Sequence, residues 1–209
     1  VVPFADNLQT DWLERLGKLG LDPEDIDLVL CTHLHADHVG WNTRLIDGRW
    51  VPTFPNARYV FSRKEYEHWR QDDAEKFHHD AFVDSVLPVV ESGQADIVES
   101  DHVVHRAIGD GIWLEDICGH SPGLVAVHAQ RGGAQAVFSG DCFHHPVQMV
   151  RPDLAFFADE DAVEASQQRL KLLSAHADCD TLFFPGHFGG TSAGRVRRDG
   201  DAYRFEFVE

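Results

Sequence analysis

The sequence is short of positive charge, has no long apolar run and pairs none of its cysteines at close spacing. Lysine and arginine number 18 against 35 aspartates and glutamates, a net charge of −17 with histidine neutral. That deficit opposes binding to phosphate backbones and anionic membranes, which reward basic patches, so neither a nucleic acid nor a membrane is expected as a partner. The one basic cluster, Arg195-Val196-Arg197-Arg198, is expected to be a solvated strand edge. No stretch approaches the roughly 18 apolar residues of a membrane-spanning helix. No secretory signal pattern is visible, although the chain starts Val1-Val2-Pro3 without methionine, which leaves room for a removed targeting segment. Cys31, Cys118, Cys142 and Cys179 form no CxxC pair, which argues against a zinc ribbon or a redox dithiol. They are expected as free thiols of a reducing compartment, hence the cytoplasm. Cys31 and Cys179 are expected in the core, and Cys142 as a small buried residue. No repeat, low-complexity tract or linker is evident, so residues 1–209 are expected to form a single domain.

Histidine, by contrast, is abundant, with 14 in 209 residues, which points to metal chemistry or proton transfer.

The hydrophobic spacing predicts an α/β chain. Leu8, Trp12, Leu16 and Leu19 recur at helical intervals until Gly20. Asp22-Pro23 suits the start of a single turn, and an apolar strand follows at 26–31. A strand is expected at 57–62, then a helix to about Trp69 with Ser62 and Glu65 as a capping box. A further helix around 80–90 is limited by Pro88. From residue 97 the texture turns to short strands, with Arg131-Gly132-Gly133 closing a hairpin. Residues 159–177 form the clearest helix, with Val163, Leu170 and Leu173 on one face. A buried strand at 181–187 and a terminal hairpin complete the pattern.

Metal-ligand residue types recur at the ends of these strands. "THLHADHVGW" (32–41) holds His33, His35, Asp37 and His38; His120 stands in "CGHSPG", Asp141 in "SGDCFHHP" and His187 in "PGHFGG". In extended backbone His33 and His35 point the same way and can share one ion. Asp37 and His38, one turn onward, can face a second. Imidazole and carboxylate without thiolate suit zinc. Two such ions can share a hydroxide and polarise a carbonyl or phosphoryl oxygen.

This His33-x-His35-x-Asp37-His38 motif, followed in order by His120, Asp141 and His187, resembles the metallo-β-lactamase-fold hydrolase superfamily over roughly residues 26–190. The resemblance implies a four-layer αββα sandwich with a dinuclear site between the sheets. It implies that His33, His35 and His120 hold the first metal, that Asp37, His38 and His187 hold the second, and that Asp141 bridges them. Two zinc ions are expected, with iron or manganese as alternatives. A histidine at position 35 favours hydrolysis over the diiron oxygen-reductase chemistry of relatives with glutamate there.

The local texture is similar to the branch with N-acyl-homoserine lactonases and methyl-parathion-type hydrolases. That implies a metal-bound hydroxide acting on a lactone, ester or phosphotriester of a small molecule. Alternatives are a glyoxalase II-like thioester hydrolase, a mononuclear-iron sulfur dioxygenase, or a non-catalytic metal-binding protein. Asp37 and His144 are the candidate catalytic residues. Lactonases of this branch commonly carry tyrosine three residues after the bridging aspartate, where this chain has His144. Trp41 and Phe188 are the candidate apolar pocket walls. The strands that family members place before the first helix are not seen, so the N-terminal sheet is expected to be incomplete, with self-association as a consequence.

Overall fold

The computed structural model describes residues 10–71, 76–107 and 109–208. These residues gather into two compact units. The first comprises residues up to Phe61 together with Tyr66–Ile97, and the second Ser62–Glu65 together with the chain from Val98 onward.

The first unit opens with α1 (Trp12–Lys18), ended by Gly20 at φ +78. Leu8 lies outside the described residues. Of the expected apolar face, Leu16 packs on the core, whereas Leu19 is 78% exposed. A short turn over Pro23–Asp25 follows, its start tied by the Asp22 N–H donating to Asp25 Oδ2 at 2.8 Å. The chain then enters β1 (Leu28–Leu30), α2 (Ala36–Val39) and the hairpin β2 (Thr43–Ile46) and β3 (Arg49–Pro52). Asp47 and Gly48 turn that hairpin with φ of 50 and 74, the left-handed pair such a two-residue turn requires. It was not anticipated.

Next come β4 (Arg58–Ser62), α3 (Arg63–Trp69), α4 (Lys76–Ser85), α5 (Leu87–Glu91) and β5 (Ala95–Val98). Pro88 sits in the first turn of α5, where its missing N–H has no helical role, and α4 stops before it. The expected capping box at Ser62 does not form. Among the described residues Ser62 Oγ has no hydrogen-bond partner, and the Glu65 carboxylate accepts the Gly123 N–H at 2.7 Å. β1, β4 and β5 make a three-stranded sheet in the order β1-β4-β5, with β1 and β4 parallel. Its core gathers Leu34, Val39, Tyr59, Phe61, Trp69, Val86 and Val89. The Tyr59 hydroxyl donates to Asn42 O at 3.1 Å and accepts the Phe54 N–H at 3.0 Å, so its polar end is satisfied inside that core.

The second unit contains β6 (Val103–Ala107), β7 (Asp110–Asp116), β8 (Val125–Arg131), β9 (Ala134–Phe138), α6 (Val147–Val150), α7 (Ala162–His176), β10 (Leu182–Phe184), β11 (Gly194–Asp199) and β12 (Ala202–Phe207). They form one seven-stranded sheet in the order β12-β11-β10-β9-β8-β7-β6. Gly132 and Gly133, at φ 56 and 89, close the expected β8–β9 hairpin. β9 and β10 are parallel, which requires a crossover, and α7 lies in it. Leu172 and Leu173 of α7 share one buried cluster with Ala126, Val137 and Phe183 of the sheet, each leucine worth about 1.5–3 kcal/mol relative to exposure.

Three expectations fail in this unit. Val163 is 69% exposed and Leu170 is also exposed; the buried face of α7 is Ala165, Arg169, Leu172 and Leu173, so a charged residue occupies a position that periodicity assigns to an apolar one. Arg195–Arg198 is not an edge, because β11 lies between β10 and β12. Arg197 is paired there with Glu206 at 2.8 Å and Arg198 with Asp178 at 3.7 Å. Cys179 is exposed rather than buried, since it lies beyond the end of α7.

Candidate metal centre

The first unit places four of the sequence-predicted residues just beyond the end of β1. His33 follows β1 outside regular secondary structure, and His35, extended at φ −63 and ψ 153, is the residue from which α2 starts. The extended-to-helical change explains the grouping, because it folds Asp37 and His38 back beside the two alternating histidines. The ring of His33 lies 4.7 Å from that of His35 and 4.1 Å from that of His38. His38 Nε2 stands 3.5 Å from Asp37 Oδ2. His33 and His35 are buried, whereas the Asp37 side chain is exposed.

His78 supports this cluster and was not anticipated. Its Nδ1 accepts the Ala36 N–H at 3.0 Å, and its ring stacks on His35 at 4.1 Å. Trp69 meets the His35 ring edge-on at 5.2 Å. The histidine motif is thus braced by α3 and α4. Trp41, a candidate pocket wall, stacks on Trp12.

The second unit assembles the remaining residues by topology. β7, β9 and β10 run in the same direction, so the segments after all three emerge at one sheet edge. These carry His120, Asp141 and His187. Asp141 is buried, and its Oδ2 faces His187 Nε2 at 2.9 Å, His144 Nε2 at 3.4 Å and His120 Nε2 at 3.6 Å. Gly186 permits this closeness: a Cβ there would stand 2.7 Å from Asp141 Oδ1 and 3.0 Å from Gly140 O. Gly119, at φ +132, brings the His120 turn against α7, where an added Cβ would meet Ala165 N at 2.4 Å. Burial holds the His144 imidazole below its ordinary range, against the pull of Asp141.

Several supports of this cluster carry no signature in the sequence. Asp159 Oδ1 lies 3.2 Å from His120 Nδ1. Gln148 Oε1 accepts the N–H groups of His144 and His145. Phe156 stacks on His144 with centroids 3.6 Å apart. Beside it Phe157 is 93% exposed. Phe188, the other candidate pocket wall, is buried in the core of the second unit and meets Phe205 edge-on. Cys142 is buried as expected, with its thiol pushed up by burial.

The donors in both clusters are imidazole nitrogens and carboxylate oxygens. Three imidazoles turned toward one buried carboxylate oxygen are a donor set that fits a divalent metal cation.

The metallo-beta-lactamase superfamily model matches residues 3–187. A "probable metallo-hydrolase" of Methanocaldococcus jannaschii is 33% identical over 109 residues, covering 50% of this chain and 46% of that protein. An N-acyl homoserine lactonase of Azorhizobium caulinodans is 42% identical over 54 residues, 26% of this chain and 17% of that one. The chain therefore spans less than half the length of these sequence relatives. Among solved structures, a hydrolase of the beta lactamase superfamily, AbOPH, aligns with a TM-score of 0.79 at 24% identity, over 98% of this chain and 73% of that one. A dizinc quorum-quenching lactonase, AidC, aligns with a TM-score of 0.76 at 21% identity, over 99% and 74%. At these identities the structural likeness establishes the fold.

Proposed function

The chain belongs to the metallo-beta-lactamase superfamily, and on that premise we propose that it is a dinuclear zinc hydrolase acting on a lactone, ester or phosphotriester. The observation that carries the reading is Asp141, a buried carboxylate whose Oδ2 has three imidazole Nε2 atoms within 3.6 Å. By the ligand order of the family, His33, His35 and His120 would hold one ion, Asp37, His38 and His187 the other, and Asp141 both. Zinc, when bound, supplies Lewis acidity toward a carbonyl or phosphoryl oxygen and acidifies water.

The chain's own side chains do the rest. Asp37, with its exposed carboxylate, accepts a proton at Oδ1 or Oδ2 during attack. His144 takes the place of the tyrosine common in lactonases and donates a hydrogen bond to the leaving oxygen. Phe156 fixes the His144 ring by stacking, and Phe157 offers apolar surface to an acyl or aryl group of the substrate. The lactonase names among the relatives favour the lactone within this class.

A hydrolysis panel on the zinc-loaded chain tests the reading, using an N-acyl homoserine lactone, an aryl ester, a phosphotriester and a thioester. Turnover of one of the first three is expected. A zinc-loaded chain that turns over only the thioester, or none of the four, contradicts it.

A further inference from the structure

Arg169 is wholly buried on the inner face of α7, among Ala165, Leu172 and Leu173. A guanidinium so placed is costly unless every donor finds an acceptor. Here Nε donates to Cys142 O at 2.7 Å. Nη1 donates to Pro152 O at 3.2 Å and Leu154 O at 3.0 Å. Nη2 donates to Asp159 Oδ2 at 2.5 Å. One planar fork thus ties α7 to three points along the segment after Asp141 and to one carboxylate. Lysine could not do this, lacking the fork.

The second oxygen of that carboxylate explains the arrangement. Asp159 Oδ2 also accepts the Phe156 N–H at 2.8 Å, and Oδ1 faces His120 Nδ1 at 3.2 Å. Oδ2 thus accepts two donors, one of them from a buried guanidinium that is always charged, so the carboxylate stands there as its counter-ion. An ionised carboxylate only accepts, so the shared proton belongs to His120 Nδ1. The lone pair of His120 is then on Nε2, the atom 3.6 Å from Asp141 Oδ2.

We propose that Asp159, gripped by Arg169, is a positioning residue that fixes the proton of His120 on Nδ1 and turns Nε2 toward the ion. The proposal rests on the metal-site reading for its purpose, but not for its readout. Partners of this kind set tautomer and ring orientation, and their loss costs roughly 10–100-fold in metal affinity.

Asp159→Asn is the test. Arg169 Nη2 and the Phe156 N–H both need an acceptor, so the asparagine oxygen takes the place of Oδ2 and its amide NH2 faces His120. His120 then accepts at Nδ1 and carries its proton on Nε2. Long-range 1H–15N spectra of the zinc-free chain, with His120 assigned by comparison with His120→Gln, report the tautomer directly. Expected are Nδ1–H in the unmodified chain, Nε2–H in Asp159→Asn, and a zinc dissociation constant about 10–100-fold higher in the variant. Nε2–H in the unmodified chain overturns the proposal, and so does Nδ1–H retained in a folded Asp159→Asn. If the variant does not fold, the unmodified chain decides alone by the same criterion. A chain that takes up no zinc counts against the metal-site reading, and the tautomer still decides the role of Asp159.

Discussion

The His144 imidazole lies flat on the Phe156 ring, with centroids 3.6 Å apart and planes 15° apart, while its Nε2 stands 3.4 Å from Asp141 Oδ2. The stack covers one face of the ring and restricts its rotation, with Nε2 on the side of Asp141. His144→Ala is therefore expected to lower turnover about 100-fold with zinc content unchanged. Steady-state kinetics beside metal analysis check it. Unchanged turnover would reduce His144 to packing, and lost zinc would make it a ligand.

Gly186 is the residue that lets Asp141 sit where it does. A methyl group there would lie 2.7 Å from Asp141 Oδ1 and 3.0 Å from Gly140 O, closer than atoms tolerate. Gly186→Ala is expected to displace the carboxylate, weaken zinc binding and cost about 1–3 kcal/mol of stability, as overpacked sites do. Zinc titration and urea unfolding of the variant measure both. Wild-type values in both would show that the segment yields without moving Asp141.

Away from the site, Glu115 accepts from His128 Nε2 at 2.8 Å and meets Lys171 Nζ at 2.7 Å. The His128 hydrogen bond, then Lys171, bring its carboxyl down to about 2 from an ordinary 4.5, against partial burial. A depressed carboxylate contributes stability that is fully present above its unfolded pKa and lost as pH falls through the folded one. The unmodified chain should therefore exceed Glu115→Gln by ~1–2 kcal/mol near pH 6, after allowance for solvent screening. The difference should shrink from pH 4.5 toward 2. Melting temperatures of both proteins across that range test it, and a pH-independent gap would contradict the linkage.

The four thiols differ in access. Cys31 and Cys142 are buried, and burial pushes Cys31 up to about 11. Cys179 is exposed. Iodoacetamide at pH 8 should modify Cys179 in the native chain and spare Cys31 and Cys142 until the chain is unfolded, because the thiolate is the reacting form. Peptide mass spectrometry reads the order, and early labelling of Cys142 would contradict its burial.

The ligand motif was legible because its chemistry is local: His33, His35, Asp37 and His38 lie within six positions of one strand end. Most strands from residue 97 onward were legible too, since alternation and the Gly132-Gly133 turn are short-range signals. The β2–β3 hairpin carries its signal in Asp47-Gly48, a dipeptide suited to a two-residue turn. The face of α7 differs from the periodicity because Arg169 is inward and Val163 outward, a reversal explained by the distant carbonyls of Cys142, Pro152 and Leu154 and the carboxylate of Asp159. Asp159 and His78 were illegible for the same reason. Each acts on a histidine about 40 positions away, and nothing in its own neighbourhood marks it. Cys179 was misplaced because a small apolar residue type does not reveal that it follows a helix end.

Zinc stoichiometry tests the central claim most directly. The chain would be loaded with zinc, freed of excess by gel filtration and measured by elemental analysis beside Asp141→Asn. Two zinc ions per unmodified chain are expected, and fewer than two in the variant, since Asp141 is the carboxylate proposed to serve both ions. An unmodified chain that retains no zinc, or an Asp141→Asn chain that retains two with undiminished affinity, would contradict the account.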